Sequence, residues 1–409
     1  MKQRVFLVIF TGIMFTSLAS GLVNPFLAIY AREEFGAPGY IIGLMSAGFG
    51  ISRTLFSPFI GRWSDRFGKK IFLLMGQIVL FLVAFGYDSA GTAWALVALR
   101  FIYGLSNTME WPISTALIGE ITPIGKEGRY MGFLNSTFFI GWGLGPIVGG
   151  MIKDRFSMRG NFLIMKVVSL VAFIITCFLP GEQALREYKK RERSAGRLRE
   201  AENELVSVRE MFTDGKTKGI MGYQFINNLG RGASFNFMSL LNREAGLSNR
   251  EVGILMTMYM TPSGIIQFVT GRLADRVSKV ALVHHGNTLK CIAFFFIPFC
   301  KSFWTFLFLY IFMGLLEGMF TPAFQGMAIE LGRDYGQGST QGVLQTANSA
   351  GMALGSINNG MIQDLLGLPF VFYFGSLLGF VANGFLLRHM RLDGRRRKEV
   401  KREVKSPLS

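Results

Sequence analysis

The chain alternates between long apolar runs and short polar breaks. Twelve runs stand out: 6–30, 40–60, 71–88, 93–119, 130–152 and 161–180, then 217–241, 251–270, 281–300, 303–329, 339–363 and 369–388. They approach the ~20 residues that a helix needs to cross ~30 Å of hydrocarbon. The pattern therefore predicts an all-α membrane protein with twelve transmembrane helices. The first run follows Lys2 and Arg4 and contains Ala19-Ser20-Gly21, a signal-peptide pattern. It continues through Pro25 to Tyr30 and more spans follow, so it reads as an uncleaved first helix. One polar break is long, at 181–216. Leu185 and Tyr188 are followed by an Arg/Glu-rich stretch to Leu205 and Val208. It reads as a solvated linker, with a charged helix lying along the membrane as the alternative.

The two sides of that linker are copies of one another. Gly61-Arg-Trp-Ser-Asp-Arg-Phe-Gly-Lys-Lys70 returns 210 residues later as Gly271-Arg-Leu-Ala-Asp-Arg-Val-Ser-Lys279. The same ungapped shift lays Gly43 on Gly253, Gly104 on Gly314, Pro112 on Pro322 and Glu120 on Glu330. It also lays Gly141 on Gly351, Gly145 on Gly355, Gly150 on Gly360 and Asp154 on Asp364. Parallel repeats of this kind occur in membrane transporters. The expected organisation is two pseudo-symmetric six-helix bundles, 1–183 and 217–390, joined by a cytoplasmic linker at 184–216 and followed by a basic tail at 391–409.

Composition agrees. Half of the 409 residues are hydrophobic, 40 are Phe and 50 are Gly, and mean hydropathy is +0.36. A soluble core cannot hide that much apolar side chain. The net charge of +17 would suit a nucleic-acid partner, but its placement argues otherwise. With the N-terminus inside, inner segments hold 31 of the 43 Lys and Arg, and outer segments hold seven. That asymmetry places both termini in the cytoplasm of a multi-pass protein of the inner cell membrane, with no nucleic-acid partner. Cys177, Cys291 and Cys300 lie in apolar runs without ligand spacing, and the three His lack it too. No metal or cofactor is expected, and no Ser/His/Asp set or phosphate loop suggests an enzyme.

The loop at 61–70 resembles the signature loop between helices 2 and 3 of the major facilitator superfamily, through Gly61, Asp65, Arg66, Gly68, Lys69 and Lys70. Trp63 and, in the second copy, Ser278 depart from the pattern. The resemblance implies a conformational latch between the halves, formed by Asp65, Arg66, Asp275 and Arg276. In helix 4, Leu96, Arg100 and Gly104 resemble a motif whose Arg is linked to proton coupling. In helix 5, Gly132, Gly141, Gly145, Pro146, Gly149 and Gly150 fit the pattern associated with the twelve-span drug:proton antiporters. Small residues at that spacing let helices approach backbone to backbone.

Polar residues inside the spans supply the candidate chemistry. Helix 7 carries Gln224, Asn228 and Arg231 on one face, and helix 4 carries Asn107, Glu110 and Ser114. Helix 10 carries Glu317 with Tyr310 and Phe320, and helix 1 adds Asn24. The resemblance implies that helices 1, 4, 7 and 10 line a central cavity, making Asn24, Asn107, Gln224, Asn228, Arg231, Tyr310 and Phe320 the candidates for substrate contact. A carboxyl held away from water is disfavoured as the anion and can exchange protons. Glu317 is the first candidate for that role and Glu110 the second, with Arg100 biasing them. A structural Glu317–Arg231 pair is the alternative. Arg53, Lys166 and Lys290 receive no role. The expected function is proton-coupled efflux of amphipathic or cationic small molecules by a monomer in contact with membrane lipids. Transport of an organic anion or of a lipid is the alternative.

Overall fold

A computed structural model of the protein describes residues 2–122, 127–194, 214–232, 234–274, 277–335 and 337–405. The first half consists of α1 (Lys2–Phe35), α2 (Gly39–Phe67), α3 (Lys69–Ser89), α4 (Ala93–Ile121) and α5 (Glu127–Cys177). A short α6 (Glu182–Ser194) follows. The second half consists of α7 (Gly215–Arg231), α8 (Ser234–Glu244), α9 (Asn249–Ala274), α10 (Lys279–Phe296), α11 (Phe303–Tyr335), α12 (Gln337–Leu366) and α13 (Leu368–Lys405).

With the short α6 set aside and α7 and α8 taken as one broken rod, these make twelve rods among the described residues. α5 supplies two of them, because Ser157 leaves the helical region at φ 61 and ψ −174. Gly141 on its first arm lies against Met14, and Thr176 on its second arm lies against Gly12, so both arms run along α1. The single span expected at 217–241 is instead broken into α7 and α8 around Gly232. A broken helix frees backbone carbonyls that lipid cannot satisfy. Buried Asn359 does so, donating to Gly230 O at 3.1 Å and Gly232 O at 2.7 Å. Helix α6 occupies the start of the expected linker: Leu185 is buried, and Glu182 accepts from the Lys69 backbone N–H at 3.2 Å. Residues 195–213 lie outside the described set.

The glycines explain the close packing. A Cβ added at Gly145 or Gly149 would overlap the backbone of Gly21 or Leu22 on α1. In the other half Gly351 and Gly355 stand at the positions of Gly141 and Gly145, and a Cβ added there would overlap Phe225 O or Leu229 O on α7. A second set joins the halves: Gly43 and Gly360 between α2 and α12, and Gly150 and Gly253 between α5 and α9. These inter-half seams lie at the end away from the termini, here the far end. An apolar plug containing Phe26, Ile42 and Met45 from one half and Phe237, Leu255 and Met256 from the other closes the same end. At the basic end, which carries both described termini, Gly61, Gly132 and Gly342 have no such neighbour within 4 Å among the described residues. The bundles thus meet at the far end and part toward the basic end.

Charge pairs follow the repeat. At the basic end Lys69 bonds Glu120 at 2.7 Å, and its counterpart Lys279 bonds Glu330 at 2.5 Å. The Lys279 bond pulls the Glu330 carboxyl below its ordinary range. Each of these two bonds stays within its own half. Gly68 sits at φ 102, a conformation that favours glycine. Of the expected latch, Arg66 is exposed, its guanidinium 5.5 Å from the Phe67 ring. The Asp65 side chain, Asp275 and Arg276 lie outside the described set.

Candidate substrate cavity

Between the bundles lies a cavity of about 710 Å³, open toward the basic end. Helices α1, α2, α4 and the first arm of α5 supply one wall; α7, α8, α11 and α12 supply the other. Of the residues expected from the sequence, Asn24, Asn107, Gln224, Asn228, Arg231 and Phe320 line it, as do Arg100, Glu110 and Glu317. Tyr310 does not. It is fully buried at the far end, and its hydroxyl donates to Asn242 Oδ1 at 3.1 Å. Seven residues fall short of two turns of a 3.6-residue helix by only about 20° in angle, but they separate Tyr310 from Glu317 by about 10 Å along the axis. That rise carries Tyr310 past the cavity roof.

The roof is an inter-half contact. Asn236 Nδ2 donates to Ser46 Oγ at 2.6 Å, and the Trp142 and Phe235 rings stand 5.3 Å apart. Around it the cavity wall is aromatic, with Phe138 stacked on Trp142 at 5.7 Å.

The second half's wall centres on Glu317. Its Oε2 faces Arg231 Nη2 at 3.4 Å and accepts from Tyr259 OH at 3.4 Å. It also pairs with the ammonium of buried Lys290, which reaches it from α10 behind the wall. The pair with Arg231, weighed as an alternative on the sequence, is present, and Lys290 adds a second cation that the sequence reading left without a role. Glu317 therefore faces two basic side chains. Removing one partner of a buried pair strands the other. Lys290→Ala is expected to destabilise the protein by about 2 kcal/mol, less than for a closed pair because Glu317 faces the open cavity. Adding Glu317→Gln should recover part of that loss in a thermal unfolding assay; equal loss in the single and double variants would contradict the pairing.

The first half's wall differs. Arg100, nearly buried, donates from Nη1 to Asn24 Oδ1 at 2.5 Å and from Nε to Met45 O at 3.4 Å. Arg53 on α2 also lines the cavity, and the sequence reading gave it no role either. Glu110 on α4 is 8% exposed, and its Oε1 meets no hydrogen-bond partner among the described residues. It lies between the main cavity and a second one of about 20 Å³, lined also by Gln77, Ser114 and Thr176 and large enough for one water. An ionised carboxylate without donors or counter-charge costs several kcal/mol there, whereas a protonated one costs little. Among the described residues no group of His, Cys, Asp and Glu could hold a metal.

Three comparisons bear on this architecture. A family model described as Major Facilitator Superfamily matches residues 9–218 and 220–409. An uncharacterised MFS-type transporter of Methanocaldococcus jannaschii is 22% identical over 407 residues, covering 96% of this chain and 99% of that protein. The multidrug resistance protein MdtG of Citrobacter koseri is 26% identical over 340 residues, 80% of each chain. Among solved structures, the xylose transporter XylE of E. coli, in a partially occluded inward-open conformation, superposes with a TM-score of 0.75 at 14% identity, over 95% of this chain and 97% of that one.

Proposed function

Because the chain belongs to the major facilitator superfamily, whose members are multi-pass membrane transporters and not enzymes, we propose that it exports amphipathic small molecules in exchange for protons. The observation that carries this reading is Glu110: a carboxyl in the cavity wall with no cation against it among the described residues. Such a group can load and release a proton as the cavity faces one side and then the other. Glu317, held by Lys290 and Arg231, serves as a fixed anion that keeps those two cations in place. The likeness to the multidrug resistance protein MdtG supports export, and the twelve-rod fold supports alternating access.

The placement of Lys and Arg supports a cytoplasmic basic end. The described state is then open inward, with the far end closed by the plug and the glycine seams. The transporter works as a monomer, and exposed apolar side chains such as Leu82, Phe308 and Leu365 face lipid.

The test uses everted membrane vesicles carrying an imposed gradient, acid inside. A panel of lipophilic cations, neutral drugs and amphipathic anions is added and the gradient is followed. At least one class should dissipate the gradient with the wild-type chain and fail to do so with Glu110→Gln. Equal dissipation by both would remove Glu110 from the mechanism. Silence across the panel, with labelled compounds also failing to cross, would sink the transport reading of the cavity.

A further inference from the structure

The reading above leaves the substrate's charge open, and the cavity walls bear on it. On the second half, Glu317 faces two basic side chains, Arg231 and Lys290. On the first half, the acceptors of Arg100 among the described residues are neutral, the Asn24 amide and the Met45 carbonyl. Arg53 meets neither a carboxylate nor any hydrogen-bond acceptor among the described residues. Its guanidinium stands 5.4 Å from the Phe49 ring centre, and that of Arg100 stands 5.2 Å from the same ring. Glu110 makes no ion pair with either among the described residues.

Guanidinium is charged at every physiological pH and presents a planar fork of five N–H donors. In a recess away from bulk water a guanidinium without an acceptor is best satisfied by an oxyanion such as a carboxylate, sulfonate or phosphate, and Arg53 and Arg100 stand within reach of the same Phe49 ring. The aromatic surface of Phe138, Trp142 and Phe235 lies in the same cavity and offers an apolar body a place to rest.

We propose that the transported molecule is an amphipathic organic anion, with its oxyanion group held between Arg53 and Arg100 and its apolar part on the aromatic wall. This reverses the cationic preference that the drug-antiporter resemblance implies. It rests on the reading of this cavity as the transport site. The charge preference belongs to the walls and is independent of the direction in which the proton moves.

The test is calorimetric titration of the purified full-length protein with three probes that share one apolar body: naphthylacetate, naphthylacetamide and naphthylmethylammonium. The anion should bind about tenfold tighter than either of the others, the size of effect expected for a charge-assisted hydrogen bond. Arg53→Gln should weaken the anion about tenfold and leave the amide unchanged, whereas Arg53→Lys should stay within a few-fold of wild type. A cation or amide that binds as tightly as the anion overturns the proposal. So does an Arg53→Gln variant with unchanged anion affinity. Failure of all three probes to bind also overturns the anion site, and does so without touching the transport reading, which the vesicle assay judges by itself.

Discussion

Glu110→Gln is expected to abolish proton-driven accumulation while leaving passive exchange of labelled substrate intact. Among the described residues two carboxyls line the cavity, and their surroundings separate their roles. Glu317 has Lys290 and Arg231 against it and accepts from Tyr259. Protonating it would strand two cations beside a neutral acid, which costs several kcal/mol. Glu110 has no such partners, so its proton can come and go without breaking an ion pair. One proton exchanged per substrate converts each pH unit into about 1.4 kcal/mol, or a tenfold concentration ratio. Across two pH units the wild-type chain should therefore concentrate its substrate about a hundredfold in everted vesicles. Gln keeps the shape and removes the titration, so Glu110→Gln should stop at equal concentrations on both sides. Counterflow, which needs only the cavity and the rocking motion, should survive. Glu317→Gln is the control: its damage should appear in stability and substrate affinity, with the pH-driven ratio largely kept. If Glu317→Gln abolishes the pH-driven ratio and Glu110→Gln does not, the assignment of roles is reversed.

Much of this architecture was legible in the order of residues. Apolar runs long enough for lipid marked the rods, and the 210-residue shift paired the seams Gly145/Gly355 and the bonds Lys69–Glu120 and Lys279–Glu330 before any contact was visible. Polar residues within apolar runs marked part of the cavity wall, since a polar group in lipid needs a reason to be there, but not the share supplied by α2, α5 and α12. The failures share a physical cause. A lone basic residue in a span reads equally well as one that snorkels to the membrane surface. Lys290 and Arg53 were therefore left without roles, and only the neighbouring helix reveals Glu317 as the partner of Lys290. Tyr310 lies near the correct face at the wrong depth, and depth depends on where the two halves close. The break between α7 and α8 was also hidden, because the residue that satisfies its freed carbonyls, Asn359, comes from a distant helix.

Replacing both Asp154 and Asp364 by Ala is expected to open the far end, which we place outside the cell. The two acids occupy equivalent positions in the repeat, and each caps a helix of the opposite half. Asp364, near the end of α12, accepts from the backbone N–H groups of Gly39 at 2.6 Å and Tyr40 at 2.7 Å, the first residues of α2. Asp154, in α5, accepts from the backbone N–H groups of Asn249 at 3.2 Å and Arg250 at 2.8 Å, the first residues of α9. A helix N-terminus carries unsatisfied donors and a partial positive charge, so each carboxylate satisfies two donors and offsets the dipole. Because each bond crosses between the halves, it exists only while that end is shut. A cap of this kind contributes about 1 kcal/mol and up to about 2 in a partly buried setting. The two together therefore bias the closed state by about 2–4 kcal/mol, or roughly thirtyfold to several hundredfold in population. Glu33 adds a smaller share through Arg243 at 2.9 Å, with Arg32 and Glu244 at 3.7 Å beside it; these pairs are partly exposed and screened. The measurement is labelling of Met256→Cys by a membrane-impermeant thiol reagent from outside, in a chain whose native cysteines are replaced. Met256 is fully buried in the plug and becomes reachable only when the far end parts. Labelling should rise at least about tenfold in the double Ala variant and by an intermediate amount in each single one. An unchanged labelling rate in the double variant would mean that the glycine seams and the plug hold the far end without these caps.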